Sequence, residues 1–347
     1  MQLSVRRDVL SLARPLQSAY GVVKQREILS VSLTDADGVS GYGEAAPLQA
    51  YDGVSVERVA RALAAYTPVL ADSEGMNGAH LIDACRGVDD VPAALAAIDL
   101  ALWDRAGRRA GKPVAALLTD GPAPAVAVNA TLSALDRAGA ARQAAQAVAE
   151  GFSCLKVKVG IGDDAGRVAA VRAAAGPQTA LRLDANGAWS VEEAVRAIET
   201  LSPAGLELVE EPTHGLGAVR EVRERVAVRV AIDETAAEHG ALSAGVADAV
   251  CLKISRCGGI SGLIAAATLV RASGAEVYLA STLDGPLGVA AALHAAAALA
   301  PRGVGGPPIP PCGLATLALF EDFADPLPAR DGSIALPMGG GLGVEPL

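Results

Sequence analysis

The sequence predicts an α/β protein: a barrel of repeated parallel strand and helix units, preceded by an α+β domain. Three observations carry this. Five short apolar runs recur, Leu-Lys-Val-Lys-Val (155–159), Leu-Arg-Leu-Asp-Ala-Asn (181–186), Leu-Val-Glu-Glu-Pro (208–212), Ala-Ile-Asp-Glu-Thr (231–235) and Val-Cys-Leu-Lys-Ile (250–254). Parallel strands covered on both faces read as continuous runs of this kind. Their charged positions, Lys158, Asp184, Glu210, Asp233 and Lys253, are spaced by 26, 26, 23 and 20 residues, the length of one strand with its crossover helix. Residues 1 to about 120 follow a different pattern, strands first and helices second, which is the order of an α+β domain.

Along the chain, residues 3–10 and 28–34 are expected as antiparallel strands. The second runs into Asp35-Ala-Asp-Gly38, a turn signal ahead of a third extended stretch at 39–44. Residues 56–70 and 91–107 have helical periodicity, the latter with Leu95, Ile98, Leu102 and Trp103 at the apolar positions. Two glycine-bearing loops, around Tyr20-Gly21-Val22 and Ala50-Tyr51-Asp52-Gly53, are either lids or ordinary turns. The Pro-rich piece Gly121-Pro-Ala-Pro124 marks the expected boundary between a capping domain, 1–121, and a barrel domain, 125–320.

Within the barrel, residues 126–130 are expected as the first strand and 137–150 as its helix, with Gly151 as the C-cap signal. Ser190 before Val-Glu-Glu-Ala, with Glu193 three residues on, is a capping box. Ser255-Arg-Cys-Gly-Gly259 is a turn whose backbone can approach a ligand closely. Residues 276–281 read as the seventh strand, with Ser281-Thr-Leu-Asp284 at its mouth. The Gly- and Pro-rich stretch 303–311 reads as a loop, which leaves a short last strand near 312–317. The tail, 321–347, is expected to pack back on the first domain.

Composition bounds the function. Hydrophobic residues make up 51% of the 347 and aromatics only 3%, so the core rests on alanine and aliphatic side chains. Mean hydropathy is +0.34. A net charge of −10, with no basic cluster interleaved with aromatics, excludes nucleic acid as a partner. The longest apolar segment, 287–300, has 14 residues with His294 inside it, too short to span a bilayer. Arg6, Arg7 and Asp8 with no apolar run behind them do not form a secretory signal. The expectation is a cytoplasmic protein without a membrane partner. So apolar a chain is also expected to bury surface between subunits of a homo-oligomer.

Five cysteines, Cys85, Cys154, Cys251, Cys257 and Cys312, are odd in number and show no CxxC pairing. They read as reduced, buried thiols rather than disulfides or a zinc site. His80, His214, His239 and His294 have no ligand-like spacing, and His294 on an alanine-rich helix reads as structural.

In a barrel of this kind the C-terminal strand ends share one face, where active sites of the fold sit. Three carboxylates, Asp184, Glu210 and Asp233, would converge there, flanked by Lys158 and Lys253. Carboxylates so placed repel unless a cation sits among them, and hard oxygen donors favour Mg2+ or Mn2+. Any one acid could be a helix N-cap. Five charged groups at five strand ends are not explained that way.

Lys156-Val-Lys158, Asp184-Ala-Asn186, Glu210-Glu211-Pro212, Asp233-Glu234 and Lys253, with Gly41-Tyr-Gly-Glu44 in the first domain, resemble the muconate lactonizing subgroup of the enolase superfamily. The resemblance covers nearly the whole chain. It implies an α+β capping domain over a (β/α)7β barrel, a modified TIM barrel, completed by the C-terminal tail. It further implies that Asp184, Glu210 and Asp233 hold Mg2+ or Mn2+, and that Lys158 and Lys253 are the acid/base groups on opposite faces. Lys156 would tune Lys158, with Asn186 and Glu234 standing behind the ligands. Substrate contacts are expected from Tyr20, Tyr51, Ser281, Thr282 and Asp284.

The activity implied is removal of a proton α to a carboxylate of a small molecule, giving an enediolate whose charge the metal stabilises. Leu181-Arg-Leu-Asp-Ala-Asn-Gly-Ala-Trp189, Glu-Glu-Pro where cycloisomerases commonly have Glu-Gln-Pro, and Cys312-Gly-Leu-Ala-Thr316 are similar to o-succinylbenzoate synthases, which dehydrate their substrate in menaquinone biosynthesis. Muconate cycloisomerase and N-succinylamino acid racemase remain open. Dipeptide epimerases usually carry Asp-x-Asp after the seventh strand, whereas Asp284 stands alone. A non-catalytic barrel that only binds carboxylates would not need both lysines.

Overall fold

The structure is a computed structural model and describes residues 1–18, 20–73, 76–300 and 309–347. Strands β1 (Gln2–Ser18) and β2 (Gly21–Thr34) form an antiparallel hairpin, and β3 (Ser40–Ala45) pairs with β2 on its other edge. The turn at 35–38 closes through the Gly38 N–H donating to the Asp35 carbonyl, with Gly38 at φ +74°. β1 and β2 run well beyond the expected 3–10 and 28–34. Pairing resumes past an irregularity between Ser11 and Leu16 and continues to Ser18 and Gly21. That extension is largely exposed, with Leu12 and Arg26 its buried positions, too few to leave a regular alternation in the sequence.

Helices α1 (Gln49–Asp52), α2 (Val56–Ala71), α3 (Gly78–Val88), α4 (Pro92–Ala110) and α5 (Val114–Leu118) complete this part of the molecule. Helix α3 is not among the elements expected from the sequence. It has only three buried positions, Leu81, Ile82 and Cys85, and starts at Asn77, whose side chain accepts the His80 N–H. α4 lies directly on β3. A Cβ at Gly41 or Gly43 would come within 2.1 Å of the Ala101 or Ala97 carbonyl oxygen, so only glycine allows this approach.

The barrel strands are β5 (Ala130–Leu132), β6 (Cys154–Lys158), β7 (Ala180–Asp184), β8 (Leu208–Glu210), β9 (Arg229–Ile232), β10 (Ala249–Leu252) and β11 (Glu276–Leu279), all parallel and in sequence order. The expected first strand at 126–130 is corrected. β4 (Ala125–Ala127) instead pairs antiparallel with β12 (Ser333–Ala335), and the barrel begins at Val128, with its regular strand from Ala130. Helices α6 (Arg137–Ala149), α7 (Asp164–Ala175), α8 (Val191–Leu201), α9 (Leu216–Arg225), the single turn α10 (Ile254–Cys257), α11 (Ile260–Ala272) and α12 (Pro286–Leu299) connect the strands. The capping box at Ser190 forms with both of its bonds. Between β9 and β10 the described chain makes only short 3-10 turns, at 234–237 and 241–243.

The ring closes through two residues. Cys312 bridges Val128 and Gly313 bridges Ala280, both in parallel sense, which is the short last element near 312–317. The loop expected at 303–311 falls, up to residue 308, outside the described residues. The result is a modified TIM barrel with an antiparallel sheet and helices as its cap.

α12 is buried on almost every side, as a helix apolar all round must be. Its His294 accepts the Ala115 N–H at Nδ1 (3.2 Å) and meets the Leu342 carbonyl at Nε2 (3.1 Å), so Nε2 carries the proton and the ring is neutral. Leu342 in turn donates its N–H to Asp104 on α4 (2.7 Å). Among the described residues no helix is long and apolar enough to cross a membrane, and the five cysteines are free thiols.

Candidate active site

Strand alternation sets the site. Lys156 and Lys158 lie two apart on β6 and share its inward face, Asp184 and Glu210 end β7 and β8, and Asp233 and Lys253 follow β9 and β10 directly. Lys158 pairs in register with Asp184, and Asp184 with Glu210, which brings all three to one level at the mouth. The three acids are 1%, 0% and 5% exposed. Asp233 occupies a helix N-cap position but makes no capping bond, so capping does not account for it.

Ammonium groups lie on these carboxylates. Lys156 Nζ donates to both Glu210 oxygens (2.8 Å each) and lies 2.9 Å from Asp184 Oδ2. Lys158 Nζ donates to Asp184 Oδ2 and Asn186 Oδ1, at 2.6 Å each. Lys253 Nζ donates to Asp233 Oδ2 and to Tyr51 Oη (2.8 Å). Burial works against charge on Lys253, but Asp233, then Tyr51, overrides it and holds the ammonium well above the ordinary lysine range. Burial would raise Asp184, yet Lys156 and Lys158 hold it far below the usual carboxylate range. Glu210 goes the other way. Burial, reinforced by Asp184 and Asp233, raises it in spite of Lys156.

Glu210, Asp233 and Cys251 offer ligand atoms all within 4.8 Å of one another, while Asp184 lies outside that group and is tied to Glu210 through Lys156. Three buried carboxylates of this kind fit a hard divalent cation.

The strand-end loops brace the acids. Asn186 and Glu211 sit at positive φ, 45° and 40°. Asparagine tolerates this conformation, whereas glutamate is strained there and must be held by its bonds. Glu211 accepts the N–H groups of Asp233 (2.8 Å) and Thr235 (3.0 Å) and the Thr235 hydroxyl (2.5 Å). Its only signal in the sequence was the doubled Glu at 210–211. Glu234 Oε1 accepts from Asn186 Nδ2 (2.8 Å) and Tyr20 Oη (3.0 Å). Burial, then Asp233 and Asp184, push Glu234 up to about 8.

A cavity of about 150 Å3 lies between cap and barrel. Lys156, Lys158, Asp184, Asn186, Asp233 and Lys253 form its floor, and Tyr20 and Tyr51 reach in from the cap. Tyr51 Oη donates to Asp233 Oδ1 (2.7 Å), and its ring lies edge-on to Tyr20. Ser281 and Thr282 line the wall as expected, joined by Thr131 and Thr316, which sequence reading missed because they come from opposite ends of the barrel. Leu16, Val23, Leu48, Leu283 and Leu319 supply apolar walls. Asp284 requires correction. It does not line the cavity but accepts from the Thr282 hydroxyl (2.6 Å) and lies buried against the cap residue Glu44, because its strand end turns it into the domain interface. A larger cavity, about 680 Å3, adjoins Tyr51, Asp233 and Lys253 among small apolar residues such as Ala236 and Ala266. It holds neither Lys158 nor Asp184, whereas the smaller one brings both together with Lys253 and Asp233.

Below this level Arg182 closes the barrel. Its guanidinium bonds Glu207 (2.8 and 3.0 Å) and the Pro311 carbonyl (2.7 Å) and lies 4.9 Å over the Tyr278 ring.

Comparison with known proteins agrees with this architecture. Residues 1–119 match the mandelate racemase / muconate lactonizing enzyme N-terminal domain, and residues 139–347 match the enolase C-terminal domain-like family. The chain is 31% identical to muconate cycloisomerase 1 of Rhodococcus opacus over 348 residues, covering 96% of this chain and 92% of that protein. It is 40% identical to o-succinylbenzoate synthase of Thermobifida fusca over 213 residues, 58% of this chain and 63% of that protein. Its fold matches the dipeptide epimerase of Enterococcus faecalis V583, solved with Mg and the dipeptide L-Leu-L-Tyr, with a TM-score of 0.86 at 28% identity over 99% of this chain and 98% of that one. With cap and barrel matched in order along the chain, this protein belongs to the muconate lactonizing enzyme subgroup of the enolase superfamily.

Proposed function

We propose that the protein removes the proton α to the carboxylate of a small-molecule substrate, with Lys158 as the base and Lys253 as the opposing cation. One observation carries the reading: Lys158 and Lys253 line the same small cavity, with Asp184 and Asp233 on its floor. Asp184, Glu210 and Asp233 are the residues that would hold a divalent ion, Mg2+ or Mn2+. Such an ion would stabilise the negative charge that develops on the substrate carboxylate. Lys253, kept charged by Asp233, supplies a fixed positive charge on the other side, where it stabilises the same charge without reorganisation. Asp184 and Asn186 orient the Lys158 amine. Tyr20 and Tyr51 cover the site from the cap and exclude water.

The favoured reaction is dehydration of the o-succinylbenzoate synthase type, in which Lys158 takes the α-proton and the β-hydroxyl leaves as water. The 40% identity to the Thermobifida fusca synthase supports it, as do apolar walls interrupted by hydroxyl groups. An ammonium-bearing dipeptide is disfavoured, since the carboxylates among the lining residues described are only Asp184 and Asp233. Cycloisomerisation of a muconate is the second reading, favoured by the near full-length similarity to muconate cycloisomerase 1. Incubation with Mg2+ in D2O and a panel of β-hydroxy acids, muconates and N-succinylamino acids decides among them. The expected result is α-deuterium exchange together with loss of water from a β-hydroxy acid. Exchange with none of the panel would favour a barrel that only binds carboxylates.

A further inference from the structure

Beneath the carboxylates lies a thiol that the proposed reaction does not use. Cys251 precedes Lys253 by two residues, so both side chains face into the barrel, the lysine at the mouth and the thiol one layer below. Cys251 is 2% exposed. Its sulfur lies with one oxygen each of Glu210 and Asp233 in a group whose members are all within 4.8 Å of one another, the one such group of three among the described residues. A second observation comes from the next strand. Tyr278 pairs in register with Cys251, is itself 2% exposed, and its hydroxyl has no hydrogen-bond partner among the described residues. Glu210 and Cys251 are the ionisable groups that act on that hydroxyl most strongly.

We propose that Cys251 makes this a mixed oxygen and sulfur site, in which a thiophilic divalent ion such as Zn2+ or Cd2+ is captured by Glu210, Asp233 and the Cys251 sulfur. The proposal rests on the metal reading above and extends it to a class of ion that competes with the hard one. As the metal–sulfur bond forms, the S–H bond breaks and its proton passes to solvent. Nothing is oxidised or reduced. Thiolate ligands favour soft and borderline ions over Mg2+. With Zn–S near 2.3 Å and Zn–O near 2.0–2.2 Å, ligand atoms stand roughly 3.5 Å apart, which small side-chain rotations reach from the present arrangement. The ion must draw one Glu210 oxygen away from Lys156, which keeps its contact with Asp184. Tyr278 then donates to the charged sulfur, which accepts far better than a thiol and satisfies the orphaned hydroxyl. Because Asp184 lies outside the group, an ion held this way sits deeper than the reaction requires, and Zn2+ or Cd2+ inhibits rather than activates.

The test uses the whole chain stripped of metal by chelation. Cd2+ and Mg2+ are titrated separately by calorimetry, and ultraviolet absorbance follows thiolate-to-Cd2+ charge transfer. The expected result is one equivalent of Cd2+ and a charge-transfer band that saturates with it. In Cys251→Ser the band is lost and Cd2+ binds about tenfold more weakly or worse, while Mg2+ affinity changes by about threefold or less. Cys257→Ser, which removes the partly exposed thiol, keeps the band. Circular dichroism verifies the fold, and Cys251→Ala replaces the serine variant if that one does not fold. Cd2+ binding without a band, or a band that survives in the Cys251 variant, overturns the sulfur ligand and leaves the oxygen site standing. Failure of Mg2+ and Cd2+ alike to bind overturns this inference together with the metal reading.

Discussion

Lys158 and Lys253 are both lysines of one pocket, yet their surroundings give them different work. Lys253 is clamped between Asp233 and Tyr51, and its charge is stabilised by an adjacent acid. Lys158 is held by Asp184 and the neutral amide of Asn186. Lys158→Ala is expected to abolish α-deuterium exchange and to lower kcat/KM by about 10²-fold or more, the usual weight of a positioned general base. Lys253→Arg, which keeps the charge, should retain measurable exchange where Lys253→Met does not. Equal loss in both Lys253 variants would argue that more than charge is needed there. These lysines and the three acids were legible because each interrupts an apolar run at its end. Thr131 and Tyr278 were not, because nothing in their own segments marks them, and Glu211 and Thr316, though inside segments that carry the family resemblance, show their contacts only where distant strands meet.

At the level of elements, the junction of β3 with α12 joins cap to barrel. The glycines of Gly41-Tyr-Gly-Glu44 let α4 lie against β3, and Glu44 then reaches the start of α12, where its Oε2 accepts the Leu287 N–H (3.1 Å). Burial, then Asp284, push Glu44 up to about 8, with the backbone N–H groups of Gly288, Gly285 and Leu287 pulling the other way. Arg26 brings a positive charge to this junction, among Asp284, Asp52, Glu44 and Glu27, and reaches the Ala46 carbonyl (2.8 Å). A carboxyl raised from 4.5 to about 8 binds its proton more tightly in the folded than in the unfolded chain. Its contribution is therefore present at low pH and is lost as pH rises between those values. Glu44→Gln keeps the shape and removes the titration. Thermal melts at pH 6 and pH 8 should show the parent losing stability toward pH 8 and the variant losing less. Parallel pH profiles would remove Glu44 from this role.

Over the whole molecule, α12 and the C-terminal segment are tied through one neutral imidazole. His294 bonds α5 through Ala115 and the tail through Leu342, and burial lowers it to about 4 from 6.5. The folded chain thus takes up fewer protons than the unfolded chain between those values, and stability falls as pH drops through the window. His294→Gln should flatten that acid limb while costing about 2 kcal/mol at neutral pH from its imperfect fit. Denaturant melts from pH 7 to pH 4.5 measure both effects. A bound metal would act at the same scale, because cap and barrel share the site through Tyr51 and Asp233. Saturation with Mg2+ at about 100 times its Kd should stabilise the fold by about 2.7 kcal/mol, with a rise in Tm that EDTA reverses. Asp233→Asn should show little of that rise.

What the sequence by itself determined is the period and its punctuation. Apolar runs at strand–helix spacing, each closed by a charged residue, fix a parallel barrel and put Lys158, Asp184, Glu210, Asp233 and Lys253 on one face, because side-chain alternation and parallel pairing are local rules. Only the tertiary structure decided how the barrel closes, through Cys312 and Gly313 rather than a regular strand, and that 125–127 belongs to a separate ribbon with 333–335. It alone turned Asp284 into the domain interface and placed Cys251 and Tyr278 beneath Glu210 and Asp233. Those placements depend on which remote segments meet, a contact made by packing and written in no single stretch of the chain.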